Sequence, residues 1–250
     1  MNIYLSILFL FVFNTHTDNT ERQRSLESSS ERVDSKAVIE GLRNFYKSKP
    51  YIYHELSYRL YQDMTATTPS SIESGLYIKK GESQYSLLSS LESLTTKAYT
   101  LSVDNEDKII MISNHVAIPP SGPMVSLDHW IDPKSTLSVK SISDRWNALL
   151  IVMPEGEVEE AIITYDLKTF QPVKIVLNYR RSIQLTSDEN SPNVQPRLEI
   201  EYVKTSFEEQ EAERLVMSTY VYGSGDHWRL TSRYNGYELI TNIHELTDQD

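Results

Sequence analysis

The feature that most constrains the fold is a succession of short apolar segments in the second half of the chain. Each segment is rich in β-branched and aromatic residues and ends at Pro, Gly, Asp or Asn. This pattern is typical of consecutive antiparallel strands separated by tight turns. It predicts an antiparallel sheet at the centre of the fold, with strands in the ranges 146–154, 161–166, 173–179 and 198–202.

Length and charge exclude several classes of protein. A chain of 250 residues is long enough for one large all-β domain or two ordinary ones. The net charge of −11 argues against a nucleic-acid partner and against electrostatic docking on anionic lipid, since both need a positive surface. The chain has no cysteine, which excludes disulfides, thiolate nucleophiles, cysteine zinc sites and the lipid-modified cysteine of a bacterial lipoprotein.

The N-terminus reads as a targeting segment. Residues 3–13 are apolar apart from Ser6 and the hydroxyl of Tyr4, and they are followed by polar residues. The run is shorter than the roughly 20 residues that a membrane span needs, so it predicts a signal peptide over residues 1–17. No Lys or Arg precedes the run, and an uncleaved N-terminal anchor is the alternative interpretation. Export without cysteine favours the periplasm of a Gram-negative bacterium.

The rest of the chain is expected to form one domain over residues 36–244, between a flexible leader at 18–35 and a frayed tail at 245–250. Val38, Leu42, Phe45 and Tyr46 recur at helical spacing and predict an amphipathic helix over 34–49. The range 51–63 then alternates as a long strand. Hairpins are predicted for 75–80 with 84–89 and for 97–104 with 108–113, within a total of about ten strands.

The C-terminal region carries turn signals typical of further hairpins. Strands are predicted at 215–222 and 227–234, paired across a Gly-containing turn. Asn235-Gly236 predicts a type I′ turn that returns the chain as a third strand over 237–243.

A long irregular stretch interrupts the strands at residues 115–143 and contains four prolines. A short helix over 125–131 is predicted within it, closed by Pro133. Irregular stretches of this length inside compact domains are often lids or binding loops. We predict a lid formed by Met124, Leu127, Trp130 and Ile131; the alternative is a surface loop held down by Trp130.

No catalytic signature is present in the sequence. Dinucleotide, P-loop, zinc-protease and nucleophile-elbow motifs are all missing. Asp128, His129 and Asp132 would need further ligands to hold a metal, for which only His115 is near in sequence. Ser224, Asp226 and His227 are too close in sequence to form a triad alone and are typical of a turn. We predict no enzyme, no cofactor and no metal, with a hydrolase of scattered residues as a third reading.

The order of these features resembles the LolA/LolB-like lipoprotein-carrier superfamily over about residues 36–222. The resemblance rests on the helix before a long strand, on the Gly-led segment 75–80, on the hairpin 101–112, on the proline-containing stretch and on the later strands. Met111-Ile112 stands where the family usually has an aromatic pair, and a further hairpin replaces its closing strand. The resemblance implies an extracytoplasmic protein in which an unclosed barrel around helices shelters acyl chains.

The expected fold is therefore mainly β (α+β), with a curved antiparallel sheet forming an unclosed barrel and with the N-terminal helix and the lid helix packed on its concave face. The leading functional hypothesis is a non-enzymatic envelope protein that binds a lipid, an acylated protein or another apolar ligand between sheet and helices. Burial of a chain there contributes about 0.8 kcal/mol per CH₂. The candidate ligand-binding residues are Leu56, Leu60, Trp130, Val173, Ile175, Leu177, Leu198 and Ile200.

The alternative hypothesis is an envelope adaptor or assembly protein whose interior is filled by its own side chains. It would bind a protein partner through an open sheet edge or through a tyrosine-rich strand surface. Tyr51, Tyr53 and Tyr61 alternate with Ile52, Leu56 and Leu60 and are the candidates for that surface. The simpler explanation of these tyrosines is that Tyr is a good strand residue whose hydroxyl tolerates water.

Overall fold

The computed structural model of the protein describes residues 34–114, 127–180, 195–224 and 227–242. The predicted signal peptide, the leader up to residue 33, Met124 and the tail lie outside these ranges. The helices are α1 (Ser35–Ser48) and α2 (Leu127–Trp130). The strands are β1 (Tyr51–Tyr61), β2 (Ser71–Lys80), β3 (Ser83–Leu88), β4 (Leu91–Thr95), β5 (Tyr99–Asp104), β6 (Ile109–Asn114), β7 (Thr136–Ser141), β8 (Trp146–Val152), β9 (Val158–Asp166), β10 (Pro172–Tyr179), β11 (Arg197–Ser206), β12 (Val221–Tyr222), β13 (Arg229–Leu230) and β14 (Glu238–Asn242).

Twelve strands form one sheet in the order β14-β6-β5-β4-β3-β2-β1-β11-β10-β9-β8-β7. The order begins and ends on different strands, so the sheet is not closed. The pairs from β2–β3 to β5–β6 and from β7–β8 to β10–β11 are antiparallel. The predicted class, a mainly β protein with an unclosed antiparallel sheet and an N-terminal helix, is confirmed.

Helix α1 begins and ends as its sequence predicts. The Asp34 carboxylate accepts a hydrogen bond from the backbone N–H of Lys36 at 3.0 Å, which satisfies a first-turn donor. Lys47 lies in the last turn, where the helix dipole favours a cation, and Pro50 follows shortly afterwards. The helix buries one stripe, formed by Val38, Ile39, Leu42 and Phe45.

The described residues group into two compact units. Unit 1 comprises 34–45, 58–72, 127–180 and 195–201, and unit 2 comprises 46–57, 73–114, 202–224 and 227–242. Unit 1 therefore contains most of α1, helix α2 and strands β7 to β10. Unit 2 contains β3 to β6 and the C-terminal strands.

Unit 1 has two parallel rows of apolar side chains that cross its strands, since directly opposed residues in an antiparallel sheet point to the same face. The first row is Val139, Leu149, Ile163, Ile175 and Ile200. The second row is Leu137, Ile151, Ala161, Leu177 and Leu198. The opposite face carries charged pairs, with Glu199 between Lys174 at 2.8 Å and Arg197 at 3.2 Å.

Unit 2 has its own core on one face of β2 to β6. Leu76, Ile78, Tyr85, Leu94 and Leu101 belong to it. The C-terminal segment covers this face with residues that include Leu215, Tyr220, Val221 and Tyr234. The segment thus takes the place that a helix would occupy in a two-layer domain.

Two predictions about the C-terminal region were wrong. Residues 212–215, 217–219 and 232–234 are short 3-10 helices, and β12 and β13 pair over only two residues each. Asn235-Gly236 does form a turn, in which the backbone N–H of Tyr237 donates to the carbonyl of Tyr234 at 3.1 Å. Asn235 has φ −60° and ψ 126° instead of the positive φ of a type I′ turn, and no hairpin follows. Strand β14 instead pairs in parallel with β6, with Ile240 opposite Met111.

Strands β4 and β7 were missed in the sequence. Residues 91–95 alternate poorly because Glu92 points into the core of unit 2. Strand β7 lies inside the proline-containing stretch that predicted an irregular lid region. The predicted short helix of that stretch is present as the single turn α2.

Candidate functional site

Most of the predicted ligand-binding residues are brought together on one face of unit 1. Ile175 is opposite Ile200, and Leu177 is opposite Leu198, in adjacent pairs of strands β10 and β11. All four side chains are buried, and Ile175 has no exposed area. Trp130, at the end of α2, is also buried in unit 1. Leu56 is buried as well but belongs to unit 2.

Three of the predicted site residues keep partial exposure. Leu60 on β1, Val173 on β10 and Ile131 after α2 are all half-buried. Val173 lies at a shift of register between β10 and β9, since Pro172 is opposite Tyr165 and Lys174 is opposite Thr164. The remaining lid candidates divide into Leu127, which is buried, and Met124, which lies outside the described residues.

Phe170 shows that α1 lies over the face carrying the apolar rows. Ile163 and Tyr165 alternate along β9 and share that face. The ring of Phe170 stacks on Tyr165 with ring centroids 5.8 Å apart. The ring also lies so close to Gly41 of α1 that a β-carbon at that position would stand 2.5 Å from it. We call this side of β7 to β11 the helix-side face.

The backbone of Phe170 adopts a left-handed conformation with φ of 56°. This conformation is uncommon for a bulky residue and costs on the order of 1 kcal/mol. The turn is held by Asp166, whose carboxylate accepts hydrogen bonds from the backbone N–H groups of Lys168 and Thr169. The strained turn places the ring between strand and helix, where its packing offsets the cost.

The centre of the helix-side face is filled by the protein itself. The side chains at five positions of this face have no solvent-exposed area: Leu149, Ile151, Ala161, Ile163 and Ile175. A slot wide enough for an acyl chain is wider than a water molecule, so residues that line such a slot keep exposed area. The close packing at these five positions is typical of a protein interior.

The tyrosines predicted to form a binding surface are buried. Tyr51 and Tyr53 belong to the core of unit 2, and Tyr61 is buried in unit 1. The hydroxyl of Tyr51 donates to the backbone carbonyl of Gln210, and that of Tyr61 donates to Glu199 at 3.3 Å. The prediction of an exposed tyrosine surface at these positions was wrong, because each hydroxyl reaches a polar partner inside the fold.

A buried histidine lies among aromatic side chains in unit 2. His54 has no exposed area, and its ring is in contact with Tyr46, Tyr77 and Tyr202. Its two nitrogens are within reach of hydroxyls, with Nδ1 2.9 Å from Oγ1 of Thr205 and Nε2 3.4 Å from the hydroxyl of Tyr46. Burial lowers the pKa of His54 to about 3, so the ring is neutral at neutral pH.

A buried ionic network ties the C-terminal segment of unit 2 to its strands. Glu92 accepts hydrogen bonds from the hydroxyl of Tyr85 and from the amide of Asn105, both at 2.8 Å. Arg214 donates to the Tyr85 hydroxyl at 2.6 Å and lies 3.6 Å from the Glu92 carboxylate. Burial and the neighbouring Glu92 raise the pKa of Tyr85 well above its usual range. Each oxygen of the carboxylate has a partner, which is typical of a structural network.

The structure describes only some of the residues weighed for chemistry. Asp132 and Ser224 lie within the described ranges, whereas His115, Asp226 and the side chains of Asp128 and His129 do not. Among the residues that the structure describes, no group of three His, Asp or Glu side chains is placed to hold a metal ion. No helix in the described ranges is long and apolar enough to cross a membrane.

The two ends of the strand order are the remaining candidate surfaces. At the end in unit 2, Met111 on β6 and Ile240 on β14 stand opposite one another and are 44% and 37% exposed. At the end in unit 1, β7 is followed by Ile142, which is 55% exposed. The sequence did not predict which strands form these edges, because β7 and the pairing of β14 with β6 were both missed.

Comparisons with known proteins concern the fold. No protein-family model matches the chain, and no curated protein matches it. An uncharacterized conserved protein from Thermus thermophilus aligns over 84% of this chain and 99% of its own, at 8% identity and a TM-score of 0.48. A LolA superfamily protein from Nitrosomonas europaea aligns over 74% of this chain and 99% of its own, at 6% identity and a TM-score of 0.34.

A third solved structure is the MucA/MucB complex of Pseudomonas aeruginosa, which aligns over 80% of this chain and 64% of its own, at 10% identity and a TM-score of 0.42. The similarity to the LolA superfamily that the order of sequence features predicted recurs among these structures.

Proposed function

We propose that the chain is an exported, non-enzymatic binding protein that contacts a protein partner at its surface, while its own side chains fill the space between α1 and the sheet. The observation that carries this proposal is the absence of exposed area at Leu149, Ile151, Ala161, Ile163 and Ile175. An acyl chain could enter the space between α1 and the sheet only by displacing these side chains.

The partner is proposed to bind at the open edge of unit 2. Met111 on β6 and Ile240 on β14 form an exposed apolar pair, and β14 is the edge strand at this end of the order. Exposed strand edges bind extended segments of other proteins through backbone hydrogen bonds, and neighbouring apolar side chains supply contact area. Export is proposed from the apolar run at residues 3–13 and from the lack of cysteine.

Native mass spectrometry of the protein extracted from its own cells tests this proposal. A stoichiometric protein partner and no lipid mass are expected for the parent chain. Ile240→Glu should lose the partner because it places a charge beside Met111. Val203→Glu is the matched control, since Val203 is 65% exposed on β11 of the same unit. A stoichiometric lipid, or a partner retained by Ile240→Glu, would contradict the proposal.

A packing variant tests the filled interior directly. Ala161→Leu adds three carbon atoms at a position with no exposed area. In a filled interior this overpacking lowers the free energy of unfolding by about 1–3 kcal/mol. In an open slot the same atoms would bury apolar surface and raise it. Val152→Leu, at an exposed position of the adjacent strand, is the control and should change stability little.

A lipid or acyl chain as ligand is the second candidate function. The observation that favours it is the partial exposure of Leu60, Val173 and Ile131 among otherwise buried site residues. A fluorescent fatty acid titrated into delipidated protein tests this candidate. Saturable binding that Val173→Asp abolishes would support it, and the absence of saturation would exclude it.

A further inference from the structure

Strand β7 forms a regular edge at the end of unit 1. Within the described ranges its single strand neighbour is β8, and the six residues of β7 pair with β8 without a shift of register. The strand contains no proline, and Lys140 is its one charged residue. Edge strands usually carry prolines, bulges or several charges that prevent another strand from pairing with them. Such protection is slight in β7.

The apolar rows of the helix-side face become partly exposed where they reach this edge. Both rows are buried in strands β8 to β11, whereas their end residues on β7, Leu137 and Val139, are half-buried. A further strand with apolar residues at the matching positions would cover them. Its own direction would continue the antiparallel order of β7 to β11.

We propose that a second copy of this chain provides that strand, and that the two β7 strands pair antiparallel around a two-fold axis at Ser138. In this register Leu137 of each copy stands opposite Val139 of the other, and Lys140 stands opposite Thr136. Apolar residues therefore meet apolar residues on one face, and polar residues meet on the other. An interface of this kind is isologous and closes as a dimer.

Other registers fit the strand less well. An axis at Leu137 would place Lys140 opposite Lys134, and an axis at Val139 would place Leu137 opposite Ser141. A shift by a single residue would put the apolar side chains of one copy beside the polar side chains of the other. Each copy carries a net charge of −11, so the two copies repel one another. Added salt screens this repulsion and should therefore strengthen the dimer.

This inference does not depend on the proposed function, because it concerns the opposite end of the strand order. It holds whether the interior is filled or carries a lipid. The dimer does not use the edge of β14, which belongs to unit 2 and is the edge assigned to the proposed partner.

Sedimentation equilibrium of the purified parent chain is the first test. A twofold rise in apparent mass with increasing protein concentration is expected, and added salt should shift the rise to lower concentration. A mass of one chain up to about 1 mM protein, the weak end of specific association, would overturn the proposal.

Cysteine variants then test the register, which is possible because the parent chain has no cysteine. In the proposed dimer the two residues at position 138 lie directly opposite, at about 4.5–5.5 Å between Cα atoms, which is within reach of a disulfide. The two residues at position 136 are offset by four residues, or roughly 14 Å along the strands.

With oxidised glutathione as electron acceptor, Ser138→Cys should therefore convert to a covalent dimer, and Thr136→Cys should stay a single chain at the same concentration. Mixed Thr136→Cys and Lys140→Cys proteins should cross-link to one another. Equal cross-linking of Ser138→Cys and Thr136→Cys would overturn the proposed register.

Discussion

The two units of the molecule bury their sheets against chemically different covers. In unit 1 the helix-side face meets α1 and Phe170, and its charged pairs stay on the opposite face. In unit 2 the covering C-terminal segment is mostly 3-10 turns, and the core beneath it contains Glu92 and several tyrosine hydroxyls. A helix satisfies its own backbone groups, whereas an irregular segment brings carbonyl groups and side chains that need partners.

The comparison therefore separates an apolar core from a polar one within a single sheet. The hydroxyls of Tyr51 and Tyr220 donate to the carbonyls of Gln210 and Arg214 in the covering segment. The stability of unit 1 should accordingly be most sensitive to the loss of side-chain volume in its core. The stability of unit 2 should be most sensitive to the loss of a hydrogen-bonding partner.

The largest effect is expected from Ile175→Ala in unit 1. Ile175 has no exposed area and stands in the middle of an apolar row. Removing its outer carbons should lower the free energy of unfolding by about 4 kcal/mol through lost burial and a cavity. Urea denaturation measures this change. Ile142→Ala, at an exposed position of the same unit, is the control, and an equal loss in both variants would refute a packed core.

In unit 2, Arg214→Met should lower the free energy of unfolding by about 3 kcal/mol, because Glu92 then stays buried without its cation. Lys80→Met removes the exposed pair with Glu209 and should cost less than about 1 kcal/mol. Similar losses in the two variants would mean that the buried network contributes no more than a surface ion pair.

The buried histidine predicts how unit 2 responds to acid. His54 has a folded-state pKa of about 3 and an ordinary value of 6.5. Below pH 6.5 the unfolded chain binds a proton that the folded chain does not, so stability falls as the pH drops from 6.5 towards 3. The loss from this group should reach about 2 kcal/mol at pH 5.

His54→Gln keeps a neutral hydrogen-bonding side chain and should reduce the stability difference between pH 7.5 and pH 5 by that amount. Urea denaturation at both pH values measures it, and carboxylates that titrate in both proteins cancel in the comparison. If the stability difference between the two pH values is the same in both proteins, the folded chain binds a proton at His54 as readily as the unfolded chain does, which would contradict the prediction.

The smallest effect is expected at Thr100, where removing a polar atom should stabilise the protein. Its hydroxyl oxygen is buried and, in the part of the chain that the structure describes, has no hydrogen-bond partner. Thr100→Val should raise the free energy of unfolding by about 1 kcal/mol because an unpaired buried hydroxyl is lost. Thr205→Val is the opposite control, since its hydroxyl pairs with His54. Thr205→Val should lower the free energy of unfolding, and a change of the same sign in both variants would contradict the prediction.

Local patterns predicted the parts of the fold whose contacts are close in sequence. Helix α1 and the strands between Trp146 and Tyr202 follow from periodicity, caps and turns. Strand β4 was missed because Glu92 faces inward, where one of its partners is Arg214, more than a hundred residues later in the sequence. The predicted hairpin at Asn235-Gly236 was wrong because the strand after this turn pairs with β6, which is distant in the sequence.

The sequence predicted which residues form the apolar face, but not whether the chain itself or a ligand covers that face. Alternation identified Ile175, Leu177, Leu198 and Ile200 as one face, and the structure opposes them as pairs. Periodicity does not reveal whether a face is covered by the chain or by a ligand, since both need the same apolar residues. Phe170, which fixes α1 above that face, carries no sequence signal beyond its position in a turn.

The parallel pairing of β14 with β6 has a consequence for biosynthesis. Residues 109–114 leave the ribosome long before residues 238–242, so the edge of β6 stays without its neighbour while more than a hundred further residues are made. Closing so long a loop is slow and happens late. Until then the nascent chain exposes an unpaired strand edge, which is prone to aggregation and which chaperones can protect.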